Sequence, residues 1–547
     1  MRRPRALTLF ALCALAPTLG SAGEISLDGQ VFTLPDGFEI EVVAKPPLVN
    51  RPVTGAFDDE GRLYVSDSSG SNDDVEKQLE QRPHRILRLE DTNGDGRFDR
   101  HTVFADKMMF PEGTMWLDGS LYVSAPPSIW KLTDTDHDGV ADRREEWLKR
   151  TLTHCANDLH GPYAGPDGWI YWCKGAFADQ TYRLPGKKLT RSSAAHIFRA
   201  RPDGTGLEPV MTGGMDNPVD VVFTPGGERI FSTTFLQHPA DGKRDGLIHA
   251  IYGGVYGKPH GVIAGHKLTG ELMPPLVHLG PAAACGLTRY ESTVFGPEFK
   301  DNLFTCCFNM RKVTRHVLTP HGASFNAVTS DFLVSNSLDF HPTDVIEDAD
   351  GSLIVINTGG WYKLCCPTSQ LWKPDILGAI YRIRRKGAAK IADARGEMHA
   401  WYGTSDKRLC DLLGDPRPAV RTRAIRELAT RGKQAIPALQ DTLKDGTDEA
   451  RRNAVWTLTR IDVPEARHAV RTALADSDET VRQVAIHSIS VRRDAGAMGS
   501  LVELVRSGTP QNQRAAAEAL GRIGDSWAVT ALLDASGRLD SNPAEHD

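Results

Sequence analysis

At 547 residues the chain exceeds what one hydrophobic core holds, so two or three domains are expected. Lys and Arg number 64 against 70 Asp and Glu, a net charge of −6, and without a basic excess nucleic acid is excluded as an expected partner. Beyond the first 22 residues no segment approaches the ~20 apolar residues of a membrane span.

Residues 1–22 read as a secretory signal. Arg2, Arg3 and Arg5 precede an apolar run, and Gly20-Ser21-Ala22 offers a small-residue cleavage site. The mature protein is expected to be soluble and exported, to the periplasm or the extracellular space. Loss of Cys13 with the signal leaves eight cysteines, an even number suited to disulfides in an oxidising compartment. Cys155 and Cys173 flank one strand-turn unit, and Cys306-Cys307 and Cys365-Cys366 lie beside Cys285; connectivity is not readable from spacing. No C-x-x-C-H occurs, so no c-type haem is expected.

Residues 23–46 form a lead-in with one alternating strand, FEIEVVA at 38–44. From 47 to 386 one phrase recurs six times at roughly 50 to 75 residue intervals: a small or Pro-containing start, a few apolar residues, a Gly/Asp turn and a β-rich run. It opens at Arg51-Pro52, Phe110-Pro111-Glu112-Gly113, His160-Gly161-Pro162, Asn217-Pro218, Cys285-Gly286 and His341-Pro342. A four-stranded blade cannot bury both faces alone, so the repeats predict a six-bladed β-propeller. GAIYRIRR (378–385) alternates like 38–44, and the two are expected to close the ring within one blade. After a linker at 387–406, residues 407–535 switch to helical spacing in units of roughly 31 residues, a HEAT-like solenoid offering a surface for a protein partner or an electron carrier. Ala419, Val420, Ala424, Ile425 and Leu428 mark the apolar stripe of its first unit. Arg421, Arg451, Arg482 and Arg514 recur once per unit, as partners of the turn aspartates or as a basic ridge for an acidic partner. The polar tail 536–547 has no capping repeat, as expected if a further domain follows.

Two loops carry calcium-ligand spacing. Asp134, Asp136, Asp138, Asp142 and Glu145 occupy positions 1, 3, 5, 9 and 12, Gly139 permits the turn at 6, and Val140 stands at the backbone-ligand position 7. Asp91, Asn93, Asp95 and Asp99 repeat the pattern with Thr102 at position 12, which predicts weaker binding. Strand-like flanks make both hairpin loops on the propeller rim, where calcium is structural; a plain Asp/Gly turn is the competing reading.

Ligand sites of propellers lie where residues leading the innermost strands converge on the axis. That geometry nominates Glu112, His160, Asn217, Asp220, His341 and Asp344, with Asn157 and Asp158 just ahead of His160. Lys174, Asp179 and Arg311 lie on loops able to add charge, and Trp361, after Gly359-Gly360, suits stacking on a sugar face or a place in the core.

The run HGPYAGPDGWIYWCKGAF (160–177) resembles the His-containing segment of soluble quinoprotein sugar dehydrogenases, six-bladed propellers that use pyrroloquinoline quinone and calcium. DNPVDVVFTPGGERIF resembles their Arg-Asn-Pro segment, with Asp216 where that family carries arginine, which removes a cation from the quinone's carboxylates. FHPTDVIEDADGSLIVINTGGWY, CCPTSQLWKPDILGAIYRI and GLTRYESTVFGPEFKDNLF are similar to a family of exported planctomycete and verrucomicrobial proteins labelled membrane-bound dehydrogenases. That likeness covers nearly all of the mature chain and implies a propeller with HEAT repeats; the haem domain common in the family does not follow here.

The resemblance implies quinone-dependent oxidation of a sugar or polyol. His160 would be the base, oriented by Asp158 or Asp179; Lys174, Asn217, Asp220, Arg311, His341 and Asp344 would hold the cofactor, and Glu112 and Trp361 the substrate. Two alternatives stand beside it: a non-catalytic glycan- or protein-binding propeller with a HEAT docking arm, and a lactonase-type hydrolase holding calcium with Glu112, Asn157, Asn217 and Asp344.

Overall fold

The computed structural model describes residues 22–150, 158–183, 189–238, 241–268, 270–360 and 373–540. Six β-sheets stand around one axis, each led by an inner strand: Pro52–Phe57, Gly113–Leu117, Leu159–Ala164, Asn217–Phe223, Ala284–Arg289 and Pro342–Glu347 for blades 1 to 6. Each inner strand contacts the next, and the sixth contacts the first, which closes the propeller. The recurring phrase has a backbone meaning. In blades 1, 3, 4, 5 and 6 the ladder to the second strand slips just after the leading residues, at Pro52/Gly55, His160/Tyr163, Pro218/Val221, Ala284/Leu287 and Pro342/Asp344. A proline or small residue there suits a bulge, because a regular ladder would demand the missing N–H. The second strands, such as Leu63–Asp67, Ile170–Lys174 and Leu353–Asn357, are buried along their whole length between neighbouring blades.

Phe38–Ala44 pairs antiparallel with Ala379–Arg385 in blade 6, the closure expected from their matched alternation. One element is new: a hairpin of Ala22–Leu27 and Gln30–Pro35 adds to the outer strand Ser324–Ser335 of blade 5 through Phe32 and Thr33. It extends that sheet to six strands and covers an edge that water would otherwise reach.

Nine helices follow among the described residues from 406 on. Val420, Ala424 and Leu428 of the predicted stripe are fully buried in the solenoid core, and Thr447 and Asp478 cap their helices through backbone amides. The inner helices, Pro418–Arg431, Asp448–Arg460, Glu479–Arg492 and Pro510–Ile523, lie against the propeller's own end face. Arg426 pairs with Asp59 of blade 1 at 2.8 Å, Arg460 donates to the Pro166 carbonyl of blade 3, and Gln511 donates to the Ser324 carbonyl of blade 5. At the centre of this seam the fully buried Glu228 of blade 4 accepts from His249 (2.7 Å), Gln483 (2.7 Å), His487 (3.1 Å) and Arg514. Burial alone would raise its pKa, but Arg514 and His487 outweigh it and hold the carboxyl well below the usual range.

The recurring arginines divide accordingly. Arg451 and Arg482 bond to the turn aspartate Asp476 within the solenoid, Arg421 bonds to Asp415 and also reaches Glu291 of the propeller, and Arg514 turns to the propeller. The solenoid therefore gives its inner face to its own chain rather than to a separate partner. Disulfides are not formed among the described residues: Cys173, Cys285, Cys306, Cys307 and Cys410 are free thiols, mostly buried, where burial pushes the thiols up and suits them to packing. Cys155, Cys365 and Cys366 lie outside the described residues.

Candidate active site at the channel mouth

The residues leading the inner strands gather at one end of the channel, and the sharpest arrangement lies between blades 2 and 3. A methyl group on Gly113 would overlap the Gly161 carbonyl, so Glu112-Gly113 can abut His160-Gly161 only because glycine stands at 113. Gly161 itself needs its positive φ of 98°. That approach brings His160 Nδ1 to 3.8 Å from Glu112 Oε2, both side chains largely buried. Burial, the nearby Asp158 carboxylate second, pushes the Glu112 carboxyl well above the ordinary range, against the Leu159 amide that it accepts. When the ring takes a proton from a substrate, its positive charge favours release of the carboxyl's own proton to solvent, and the carboxylate left behind offsets the imidazolium.

The same corner holds Lys174, whose ammonium donates to the carbonyls of Ala178 (2.7 Å) and Ala194 (3.3 Å). Burial pulls its pKa down to about 8, with Asp158 and Asp179 acting the other way. Asn217 packs its side chain on Gly175, the residue whose amide donates to the Asp158 carbonyl at 2.7 Å. Asp216, which replaces the resembled arginine, is held by Lys258 at 2.6 Å. Nothing in the local sequence around Lys258 announced this role; its loop reaches the mouth through a parallel pairing of Gly213 with Tyr256.

Other expected residues lie elsewhere. Asp179 is half-exposed and bound to Arg191 across a rim hairpin, so it does not orient His160. Asp220 lies in its blade's bulge and Asp344 just after its own, inside the channel rather than at its mouth. Asp220 accepts from the Leu287 amide of blade 5 (2.8 Å), and Asp344 from the Gly55 amide of blade 1 (3.0 Å). With Glu112 they form a series in which blades 2, 4 and 6 each hand a carboxylate to the next inner strand. Burial pushes Asp344 up to about 6 and, with Asp344 as neighbour, raises Asp220. Glu112 and Asp344 are thereby committed to separate seams, so they do not form the lactonase calcium set, and Asn157 lies outside the described residues.

His341 belongs to blade 6, opposite blade 3. It stacks on Phe308 (4.6 Å) and donates from Nδ1 to the Gly359 carbonyl at 2.6 Å, while burial pulls its pKa down. Arg311, in the left-handed region at φ 56°, is near enough to act on it electrostatically. The two histidines therefore serve different sectors. Trp361 lies outside the described residues.

Among the described residues the donor set beside His160 does not fit pyrroloquinoline quinone. A ligand with several carboxylates needs cations, but Lys174 is occupied by two carbonyls, Lys258 by Asp216, and Glu112 and Asp158 add acid. On the rim, the ligand oxygens of Asp134, Asp136 and Asp138 lie within 4.8 Å of one another. Glu145 leaves this group: it stands on the strand Arg143–Lys149 and pairs with Arg143 at 2.8 Å. Asp142 turns to the Thr135 amide and Val140 donates its amide to Asp138. In the second loop Asp91 accepts from Gly94 and Gly96, Asn93 from Asp95, and Asp99 from Thr92, and no triad of carboxylates converges there among the described residues.

The family model described as Domain of unknown function (DUF7133) matches residues 25–253 and 258–387, and HEAT repeats match 407–490 and 469–543. No curated protein matches the chain. Among solved structures, an oxidoreductase described as a glucose dehydrogenase from Thermus thermophilus is similar at 18% identity and TM-score 0.44, covering 63% of this chain and 100% of that one. The pyrroloquinoline-quinone-bound aldose sugar dehydrogenase of Streptomyces coelicolor is similar at 14% identity and TM-score 0.43, with 64% and 100% covered. The apo-form soluble aldose sugar dehydrogenase of Escherichia coli is similar at 13% identity and TM-score 0.44, with 64% and 99% covered.

Proposed function

The chain belongs to the DUF7133 family, which carries no assigned activity, and from the geometry of its own site we propose that it is an exported oxidoreductase acting on a hydroxyl of a sugar or polyol. The observation that carries this reading is the His160–Glu112 pair, 3.8 Å apart and largely buried at the channel mouth. His160 takes the hydroxyl proton, and Glu112 releases its own proton to solvent, so that the carboxylate stabilises the imidazolium that forms. The carbon's hydride leaves to an acceptor of quinone class, to which no residue is assigned. Lys174 braces this corner through the Ala178 and Ala194 carbonyls, and the Asn217 amide would offer polar contacts to a neutral, hydroxyl-rich substrate. Asp134, Asp136 and Asp138 seat calcium in a structural role on the rim.

The test follows dye reduction by purified protein with calcium across aldoses, polyols and oligosaccharides, with pyrroloquinoline quinone present or replaced by simple benzoquinones. Turnover that falls at least about 100-fold in His160→Ala is expected. Turnover unchanged by that substitution would remove His160 as the base. The occupied cations at the mouth favour one second reading, a carbohydrate-binding propeller without turnover. Glycan binding retained by His160→Ala, with no reduction under any condition, selects it.

A further inference from the structure

At the end of the channel opposite His160 a cavity of about 600 Å³ lies between the propeller and the solenoid. Its floor is propeller, with Asp220 and Asp344 reaching it from the inner strands; its roof is the first two inner helices of the solenoid. That volume accommodates a small-molecule ligand of sugar size or larger.

The roof presents Arg452, Trp456 and Arg460, four residues apart along the helix Asp448–Arg460 and so in one row. Most charges around the cavity neutralise one another. Arg289 pairs with Asp301 (2.6 Å) and Glu291 (3.0 Å), Arg421 with Glu449 (3.3 Å) and Glu291 (3.5 Å), Lys300 with Glu449 (3.2 Å), and Arg395 with Asp348. Two cations are left over. Arg452 donates only to the Thr480 hydroxyl at 3.2 Å, and Arg460 only to the backbone carbonyls of Gly165 and Pro166; neither forms a direct ion pair among the described residues, and Asp478 acts on Arg452, and Asp167 and Asp118 on Arg460, only from farther off.

The carboxylates left over are of a different kind. Asp220 and Asp344 accept amides of neighbouring blades, and Glu347 accepts the amides of Glu291 (2.5 Å) and Ser292 (2.9 Å). Burial drives all three toward the neutral acid, Glu347 to about 8. On the roof itself the charges left over are these two guanidinium groups, with the flank of Trp456 between them, while Asp344 on the floor, raised only to about 6, is still largely ionised at neutral pH. Trp456 is itself seated on the Gly227 turn of blade 4, whose φ of 90° and missing side chain let the indole approach.

We propose that this cavity is a second ligand site, for a small anion bearing a carboxylate or phosphate group, bound by Arg452 and Arg460 on either side of Trp456. It is separate from the mouth and is formed only while the two domains are docked.

The test uses the full chain, with inorganic phosphate, glucuronate and neutral glucose as probes, read by calorimetric titration and by melting temperature. Phosphate or glucuronate, or both, is expected to bind, and which of them does so separates the two anion sources. Arg452→Gln, which loses only the Thr480 contact, should weaken that binding about tenfold or more, while Arg452→Lys retains most of it. Thr422→Glu, which adds negative charge to the roof from the neighbouring helix, should weaken it as well and serves if Arg452→Gln folds poorly. Binding of neither anion, or anion binding of equal strength in Arg452→Gln and Thr422→Glu, overturns the proposal.

Discussion

At the mouth, Glu112, Asp158, His160 and Lys174 belong to adjoining blades, and the His160–Glu112 pair and the bonds of Lys174 are made within the propeller. At the far end, Glu228 meets Arg514, Glu291 meets Arg421 and Lys300 meets Glu449 only because a second domain docks there. The mouth resembles an enzyme site in having a few titratable groups whose ionisation burial has moved. The far end is a network of complementary pairs, with a few groups left unpaired around a cavity. Domain docking should therefore govern the far end and leave the mouth's chemistry intact.

Glu228→Ala is the strongest way to break that separation. It leaves His249, Gln483, His487 and Arg514 without their shared acceptor, and removing one partner of a buried charged network costs about 3–5 kcal/mol. Differential scanning calorimetry should show a lower melting temperature, with the solenoid separating from the propeller. Turnover measured below both transitions should stay at the wild-type level; a loss of turnover would show that docking reaches the mouth.

A smaller effect concerns pH. Glu347 has a folded pKa raised to about 8 against an unfolded value of about 4.3, so its contribution to stability is complete at low pH and is lost as pH rises toward 8. Glu228 has the opposite sign: its folded pKa is depressed, so its contribution is present above the unfolded value and is lost as pH falls. Glu347→Gln should therefore flatten the decline in melting temperature between pH 5 and 8 and leave the acid limb unchanged. An identical slope in the variant would mean that Glu347 is ionised in the fold.

The smallest expected change lies on the rim, away from both ends. Calcium at 100 times its dissociation constant adds about 2.7 kcal/mol to stability, and a weaker site adds less. The rise in melting temperature with calcium should vanish in Asp136→Asn and survive in Asp95→Asn, because only the first loop gathers three carboxylates. An effect lost in Asp95→Asn instead would move the ion to the second loop.

Much of this was legible in the chain. The repeated phrase marks the inner strands because five of the six blades carry the same bulge at the same place, and the closing strands show matched alternation. The N-terminal hairpin on blade 5 left no such mark, since an edge pairing between Thr33 and Val334 imposes no local pattern. At the site, His160 was legible through its Gly-Pro context and family resemblance, but its partner was not. Asp179 is the nearer acid in the strand-turn unit, yet the rim hairpin carries it to Arg191, while Glu112 arrives from the preceding blade.

The sequence by itself determined the element types, the six blades and the helical repeats, because periodicity and turn chemistry are local and recur. Only the tertiary structure decided which acids became seams between blades, which face of the solenoid was covered, and which arginines stayed unpaired. Those outcomes depend on single contacts between residues tens to hundreds apart, such as Asp344 with Gly55 or Gln483 with Glu228, and a contact made once leaves no period to read.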